Sequence, residues 1–219
     1  MGRQRFFKVS ATLVGILLLV GVVGLNSAQA FIAYDVTAPT NGNQAYTGSL
    51  GMDFNVINTI SVEALGVFDS GQDGIKGTTL HVAIFNRDTQ QELTSTLLSF
   101  TGTQGTLTNG SRFQNLTTPV TLAPGNYSIV SWGYGPTDAN YNTYGGAGTS
   151  TLYNGGLITF VGGARYDYVG GGVYPTIVDG GPKNRYYAGT FEFVPLPPTA
   201  LLLGSGLLGL GLLRFRKRA

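Results

Sequence analysis

The sequence predicts an all-β fold, an antiparallel β-sandwich of jelly-roll-like form. Short runs in which apolar and polar residues alternate recur along the middle of the chain, and turn-forming residues bound each run. No stretch between the two ends shows a helical period. The composition agrees: 34 glycines accompany many Thr, Asn and Tyr residues and few charges. Gly and Asn supply the positive φ angles of turns, while Thr and Tyr favour strands.

The clearest run is Ser49 to Val56, where Leu50, Met52, Phe54 and Val56 alternate with small or polar residues, as in a half-buried strand. Further strands are expected at Ile60 to Phe68, Leu80 to Asn86, Leu93 to Phe100, Val120 to Leu122, Tyr127 to Trp132, Leu157 to Val161 and Tyr186 to Val194. Asp73-Gly74, Asn109-Gly110 and Ala123-Pro124-Gly125-Asn126 supply turns between them. Many short strands with regular turns point to a sandwich, not a parallel α/β sheet.

The two ends differ from the middle. Arg3, Arg5 and Lys8, the apolar stretch from Val9 to Leu25, and Ala28-Gln29-Ala30 have the layout of a secretory signal peptide over residues 1–30. Cleavage between Ala30 and Phe31 is expected; an uncleaved anchor helix is the alternative, because the apolar stretch is long. At the other end, Val194-Pro195-Leu196-Pro197-Pro198-Thr199 precedes an apolar segment, Ala200 to Leu213, and then Arg214-Phe215-Arg216-Lys217-Arg218. That segment reaches only about 21 Å as a helix, against a hydrocarbon core of about 30 Å. The basic cluster should stay cytoplasmic and leave the domain outside.

This three-part tail, Val194 to Ala219, resembles the PEP-CTERM sorting signal of Gram-negative bacteria, with Pro195-Leu196-Pro197 in place of the usual Pro-Glu-Pro. The resemblance implies a sorting motif of Pro195, Leu196, Pro197, Arg214, Arg216, Lys217 and Arg218, read by an exosortase-type enzyme of the inner membrane. It also implies transit through that membrane to the cell surface or extracellular matrix, and a role with exopolysaccharide in biofilms. A plain C-terminal membrane anchor is the alternative. A second resemblance rests on Ile60 to Gly74, Leu80 to Phe85, Arg112-Phe113, Thr118 to Tyr127 and Tyr187 to Phe193. These look like an uncharacterised bacterial extracellular β-sandwich module of the DUF4082-like kind, which implies a fold more than an activity.

The expected organisation is therefore a signal peptide (1–30), a β-sandwich domain (31–194) and a sorting tail (195–219). Within 31–194 six basic residues face eleven acids, a net charge of −5, so the overall +2 reports the ends and nucleic-acid binding loses its electrostatic support. The chain has no cysteine, which removes thiolate chemistry, disulfides and cysteine zinc sites.

Nine of the twelve tyrosines lie between Tyr134 and Tyr187, and the segment 133–181 reads as a Tyr/Gly-rich insertion. Tyrosine faces amid Gly and Asn make adaptable contact surfaces, and Tyr141, Tyr144, Tyr153, Tyr166 and Tyr168 are candidates for stacking on sugar rings. Packing of these rings on the sandwich is the plainer expectation. Asp69, Gly71 and Asp73 have the spacing that opens a calcium loop, but Leu80 stands where an EF-hand needs Glu; an Asp/Gly turn explains the same residues. His81, the single histidine, should sit on an exposed strand face, and no Gly-x-Ser-x-Gly elbow occurs. The pairs Asp167 with Asp179 and Glu63 with Glu192 could flank a glycosidic bond if the fold brought them together. A non-enzymatic, structural or glycan-binding surface protein is the leading expectation, and a secreted carbohydrate hydrolase is the alternative.

Overall fold

The computed structural model describes residues 29–38, 41–143 and 149–196. Ala28, Tyr144, Pro197, Arg214, Arg216, Lys217 and Arg218 lie outside the described residues, as do nearly all of the expected signal peptide and most of the tail. Among the described residues no helix is long and apolar enough to cross a membrane.

The domain is an all-β, antiparallel sandwich. One sheet has five strands in the order β1 (Phe31–Ile32), β15 (Gly189–Pro195), β4 (Ile60–Phe68), β8 (Ser111–Leu122) and β7 (Thr106–Thr108). The other has six, in the order β13 (Ile177–Val178), β12 (Ile158–Asp167), β3 (Ser49–Val56), β9 (Gly125–Trp132), β5 (Ile75–Asn86) and β6 (Leu98–Gly102). Two short ribbons pair β2 (Tyr34–Ala38) with β11 (Thr149–Leu152), and β10 (Tyr141–Asn142) with β14 (Tyr186–Tyr187).

Period-2 alternation builds the core between the two sheets. Leu50, Met52 and Phe54 of β3 and Leu80, Val82 and Ile84 of β5 face Phe191 and Phe193 of β15, and all are buried. Phe54 crosses the gap to Phe191, with ring centroids 4.9 Å apart. Each such side chain is worth about 1.5–3 kcal/mol of burial. On β4 the inward residues change phase, from Ile60 and Val62 to Leu65 and Val67, because a bulge falls between Val62 and Ala64.

The sequence predicted one buried face for β3, yet Ser49, Gly51 and Asp53 on the opposite face are buried as well. The cause is the segment 168–176, which crosses the outside of the six-stranded sheet. Tyr174 joins Ala83, Phe85, Val130 and Trp132 there in a second apolar cluster, and Pro175 lies so close to Gly51 that a Cβ at Gly51 would sit 3.0 Å from it. The expected insertion, 133–181, is woven into the sandwich: β12 pairs with β3 from Ile158↔Val56 to Asp167↔Ser49 and shields what would otherwise be a sheet edge.

Strand register defines the two ends of the sandwich. The start of β3 meets the ends of β9 and β12, through Leu50↔Ser131 and Ser49↔Asp167, while β15 begins beside the end of β4, at Gly189↔Val67. Loops 41–48, 69–74, 133–140 and 168–176 therefore collect at one pole. The chain enters and leaves toward the other: Phe31 pairs with Phe193, and Pro195 with Ile60.

Candidate functional site

Side-chain amides tie the loops of the crowded pole together. The Asn43 amide donates to the Asn142 carbonyl and accepts from the Asn142 N–H, each at 2.8 Å. Gln44 Oε1 accepts from the amides of Asn140 and Asn142 at 3.0 and 3.1 Å. Gly42 lies against Ala139 so tightly that a Cβ would come 2.0 Å from the Ala139 carbonyl oxygen, which explains the glycine. Asn43, Gln44, Asn142 and Arg185 are the described residues lining a cleft of about 450 Å³.

A second cleft, of about 350 Å³, lies between Thr47, Gly77, Thr78 and the turn from Gly133 to Asp138. Asp138 is its anchor: 1% exposed, its carboxylate accepts from the N–H groups of Lys76 at 3.0 Å and Gly77 at 2.6 Å. Those N–H groups are free of the ladder because the β5–β6 register slips between Ile75 and Leu80. Beneath, the Tyr134 hydroxyl donates to the Ala188 carbonyl at 2.6 Å and accepts from the Phe68 N–H at 3.1 Å. Burial pushes this phenol far above its usual range, so it stays a neutral donor.

A chain of three tyrosines starts at Tyr46, the neighbour in sequence of the cleft residue Thr47. Tyr46 meets Tyr166 edge-on, with centroids 6.2 Å apart, and Tyr166 meets Tyr168 edge-on at 5.5 Å. The Tyr46 hydroxyl is fixed by donating to the Asp167 carbonyl at 3.0 Å. Tyr168 is 74% exposed and Val169, beside it, 62%. Solvent thus meets Tyr168 and only part of the half-buried Tyr46 and Tyr166, at the pole away from Phe31 and Pro195.

The residues singled out in the sequence have various fates. Tyr166 and Tyr168 stand on this surface. Tyr141 does not: at 1% exposure it packs against Phe68 and Tyr187 in the core, so its ring cannot meet a sugar, which corrects that expectation. Tyr153 is partly buried between Phe31 and Phe193, at 5.1 Å from each, nailing down the first strand. Asp69 is fully buried; its carboxylate accepts from Arg112 Nε at 2.6 Å and from the Gly74 N–H. Asp73, exposed, pairs with Lys76. Gly71 holds φ +85°, as the turn requires. These contacts are those of a clasped turn, and among the described residues no three His, Asp or Glu side chains are grouped to hold a metal.

His81 faces away from Leu80 and Val82, as expected, but it is not bare. It stacks on Trp132 at 5.3 Å, and its Nδ1 lies 2.8 Å from Ser99 Oγ. Asp167 and Asp179 are each committed locally. Asp179 holds Arg185, Tyr186 and the Gly181 N–H, while Asp167 accepts from the Val169 N–H at 2.8 Å. Glu192 is raised by burial, with no second carboxylate as a cause.

Sequence reasoning missed Tyr46, Thr47, Asp138 and Arg112. Tyr46 lies far from the Tyr-rich segment, and its contacts with Tyr166 and Asp167 span 120 and 121 residues. A comparison of the chain with protein-family models and with curated proteins finds no match.

Proposed function

We propose that the chain is an exported, non-enzymatic surface or matrix protein whose loop-rich pole contacts glycans. The observation that carries this reading is the exposed Tyr168 ring, which extends the half-buried Tyr46–Tyr166 pair at the pole opposite Phe31 and Pro195. A tail engaged with the membrane beyond Leu196 would leave that pole facing outward. Tyrosine rings offer broad, rigid faces at low entropic cost, which suits stacking on the apolar faces of sugar rings. Sorting by an exosortase-type enzyme, passage through the inner membrane and residence at the cell surface belong to the same proposal; the tail's resemblance supports them.

The test is affinity electrophoresis of residues 31–196 through gels containing neutral or acidic polysaccharides. Retardation that Tyr168→Ala weakens severalfold is the expected result. Release of reducing ends from the same polysaccharides would instead establish the hydrolase, and migration unaffected by every polysaccharide would overturn the glycan reading.

A further inference from the structure

We infer that the threonine-lined cleft beside Tyr46 is the seat of a sugar unit, and that the glycan it takes is uncharged. The inference rests on the glycan reading proposed above. Thr47 follows Tyr46 directly in the chain, so the cleft opens where the tyrosine run ends. Its volume, about 350 Å³, lies within the range of about 300–1,000 Å³ usual for small-ligand sites. Thr47, Thr78 and Thr137 are all exposed and present hydroxyls that both donate and accept, which matches the hydroxyls of a sugar. The backbone of Gly133 and Gly135 and the ring of Tyr134 complete much of the wall.

Charge decides the class of sugar. No lining residue described for this cleft is a cation, and the Asp138 carboxylate, saturated by Lys76 and Gly77 N–H groups, forms its floor. Elsewhere the domain's cations are committed. Lys76 pairs with Asp73, Arg87 and Arg165 share Asp53, Arg112 holds Asp69, and Arg185 holds Asp179. Lys183 alone of the six makes no ion pair among the described residues, and its stem lies over Gly162. At this cleft a uronate or sulfated polymer would meet no guanidinium or ammonium among the described lining residues, on a domain of net charge −5.

The experiment uses residues 31–196, which contain every described strand, with hydroxyethyl cellulose as neutral probe and alginate as anionic probe, at low and high salt. The expected result is retardation by hydroxyethyl cellulose that salt hardly changes, and little retardation by alginate. The triple variant Thr47→Val, Thr78→Val, Thr137→Val should bind the neutral probe about tenfold or more weakly, since it loses three hydroxyl contacts. Its melting temperature should stay at the wild-type value, because the three side chains are exposed. Retardation by alginate that salt abolishes would overturn the inference and leave the glycan reading standing. Loss of binding in Tyr168→Ala but not in the threonine variant would overturn the cleft alone. No retardation by either probe would overturn both.

Discussion

Arg112 Nε donates to Asp69 Oδ2 at 2.6 Å across 43 residues of chain, and neither side chain is more than 8% exposed. The pair joins β8 to the turn that follows β4, and Asp69 also receives the Gly74 N–H, so one carboxylate closes the turn while its charge is met by the guanidinium. Replacing one partner leaves the other charge buried and unmatched, a loss of about 3–5 kcal/mol. We expect Arg112→Met to lower the urea midpoint accordingly. Asp69→Asn should cost a similar amount, because the amide oxygen can still accept one hydrogen bond but the buried guanidinium loses its counter-charge. Calcium would have to displace Arg112 to reach Asp69, so millimolar calcium should leave the melting temperature of the wild type unchanged; a rise in that temperature would restore the calcium loop.

A second prediction uses the single histidine and the single tryptophan. His81 stacks on Trp132 at 5.3 Å, and burial lowers its pKa from the ordinary 6.5. Protonated imidazolium quenches a stacked indole, so Trp132 fluorescence should fall with pH, with a midpoint below 6.5. The sign follows for stability. A lowered histidine contributes fully above its ordinary pKa, and the contribution is lost as pH falls through the folded value. His81→Gln should abolish the fluorescence step; a step that survives would assign it to another group.

Gly163 sits where a Cβ would come 2.3 Å from Asp53 Oδ2, the oxygen that Arg165 holds at 2.7 Å and Arg87 at 3.3 Å. Gly163→Ala must therefore push a carboxylate that is only 2% exposed off its two guanidiniums. A loss of about 2–4 kcal/mol in chemical unfolding is expected, from overpacking plus a disturbed buried charge. Gly180→Ala, with open space around its Cβ, should be nearly neutral and serves as the control.

How far these features could be read in the sequence depends on what each needs. β3 and β4 emerge with their observed bounds, β3 because its apolar residues alternate without interruption and β4 because turn residues flank a short apolar run that stays legible across its bulge. β8 was legible only over Val120 to Leu122, since its first nine residues, Ser111 to Pro119, mix polar side chains on both faces and pair across a bulge. β12 was seen to Val161 and runs on to Asp167; its register shifts between Phe160 and Ala164, where Gly162 and Gly163 erase the pattern. The sequence leaves Tyr141 open between sugar contact and packing on the sandwich, because a tyrosine serves core and surface equally well, and contact with Phe68 and Tyr187 decides for packing. The Asp69–Arg112 and Tyr46–Tyr166 contacts depend on strand order, which local patterns do not carry.

The acid side of the stability profile should respond to Tyr186. Burial raises Asp179, but hydrogen bonds from Tyr186 and the Gly181 N–H, together with the Arg185 charge, outweigh it and hold the carboxyl below its ordinary 3.8. The Tyr186 phenol is pushed up to about 12, by burial first and then by its bond to Asp179. A depressed carboxyl contributes its stability above the ordinary pKa and loses it as pH falls through the folded value. Tyr186→Phe should therefore be less stable than wild type near neutrality, and the gap should narrow as pH drops below about 4. A gap of constant size from pH 7 to pH 2 would show that the hydroxyl acts through packing alone.

The last prediction concerns both ends of the chain. Phe31 opens the first strand opposite Phe193 and is gripped by Tyr153, so an exported chain that begins at Phe31 keeps every described contact. Mass spectrometry of the surface fraction should find that terminus, and finding Met1 would refute cleavage there. At the other end, Pro195 still pairs with Ile60 and the Leu196 N–H donates to the Thr59 carbonyl at 3.2 Å. Every described contact of this end therefore survives truncation after Leu196. Truncation after Leu196 should release soluble protein with an unchanged melting curve. Truncation before Pro195 should cost a little stability as well, because it removes the last rung between β15 and β4. On the proposed reading of those charges as the stop-transfer and orientation signal, changing Arg214, Arg216, Lys217 and Arg218 to Ser should cut surface display while leaving the melting curve alone. Wild-type display of the chain truncated after Leu196 would remove the sorting role from the tail.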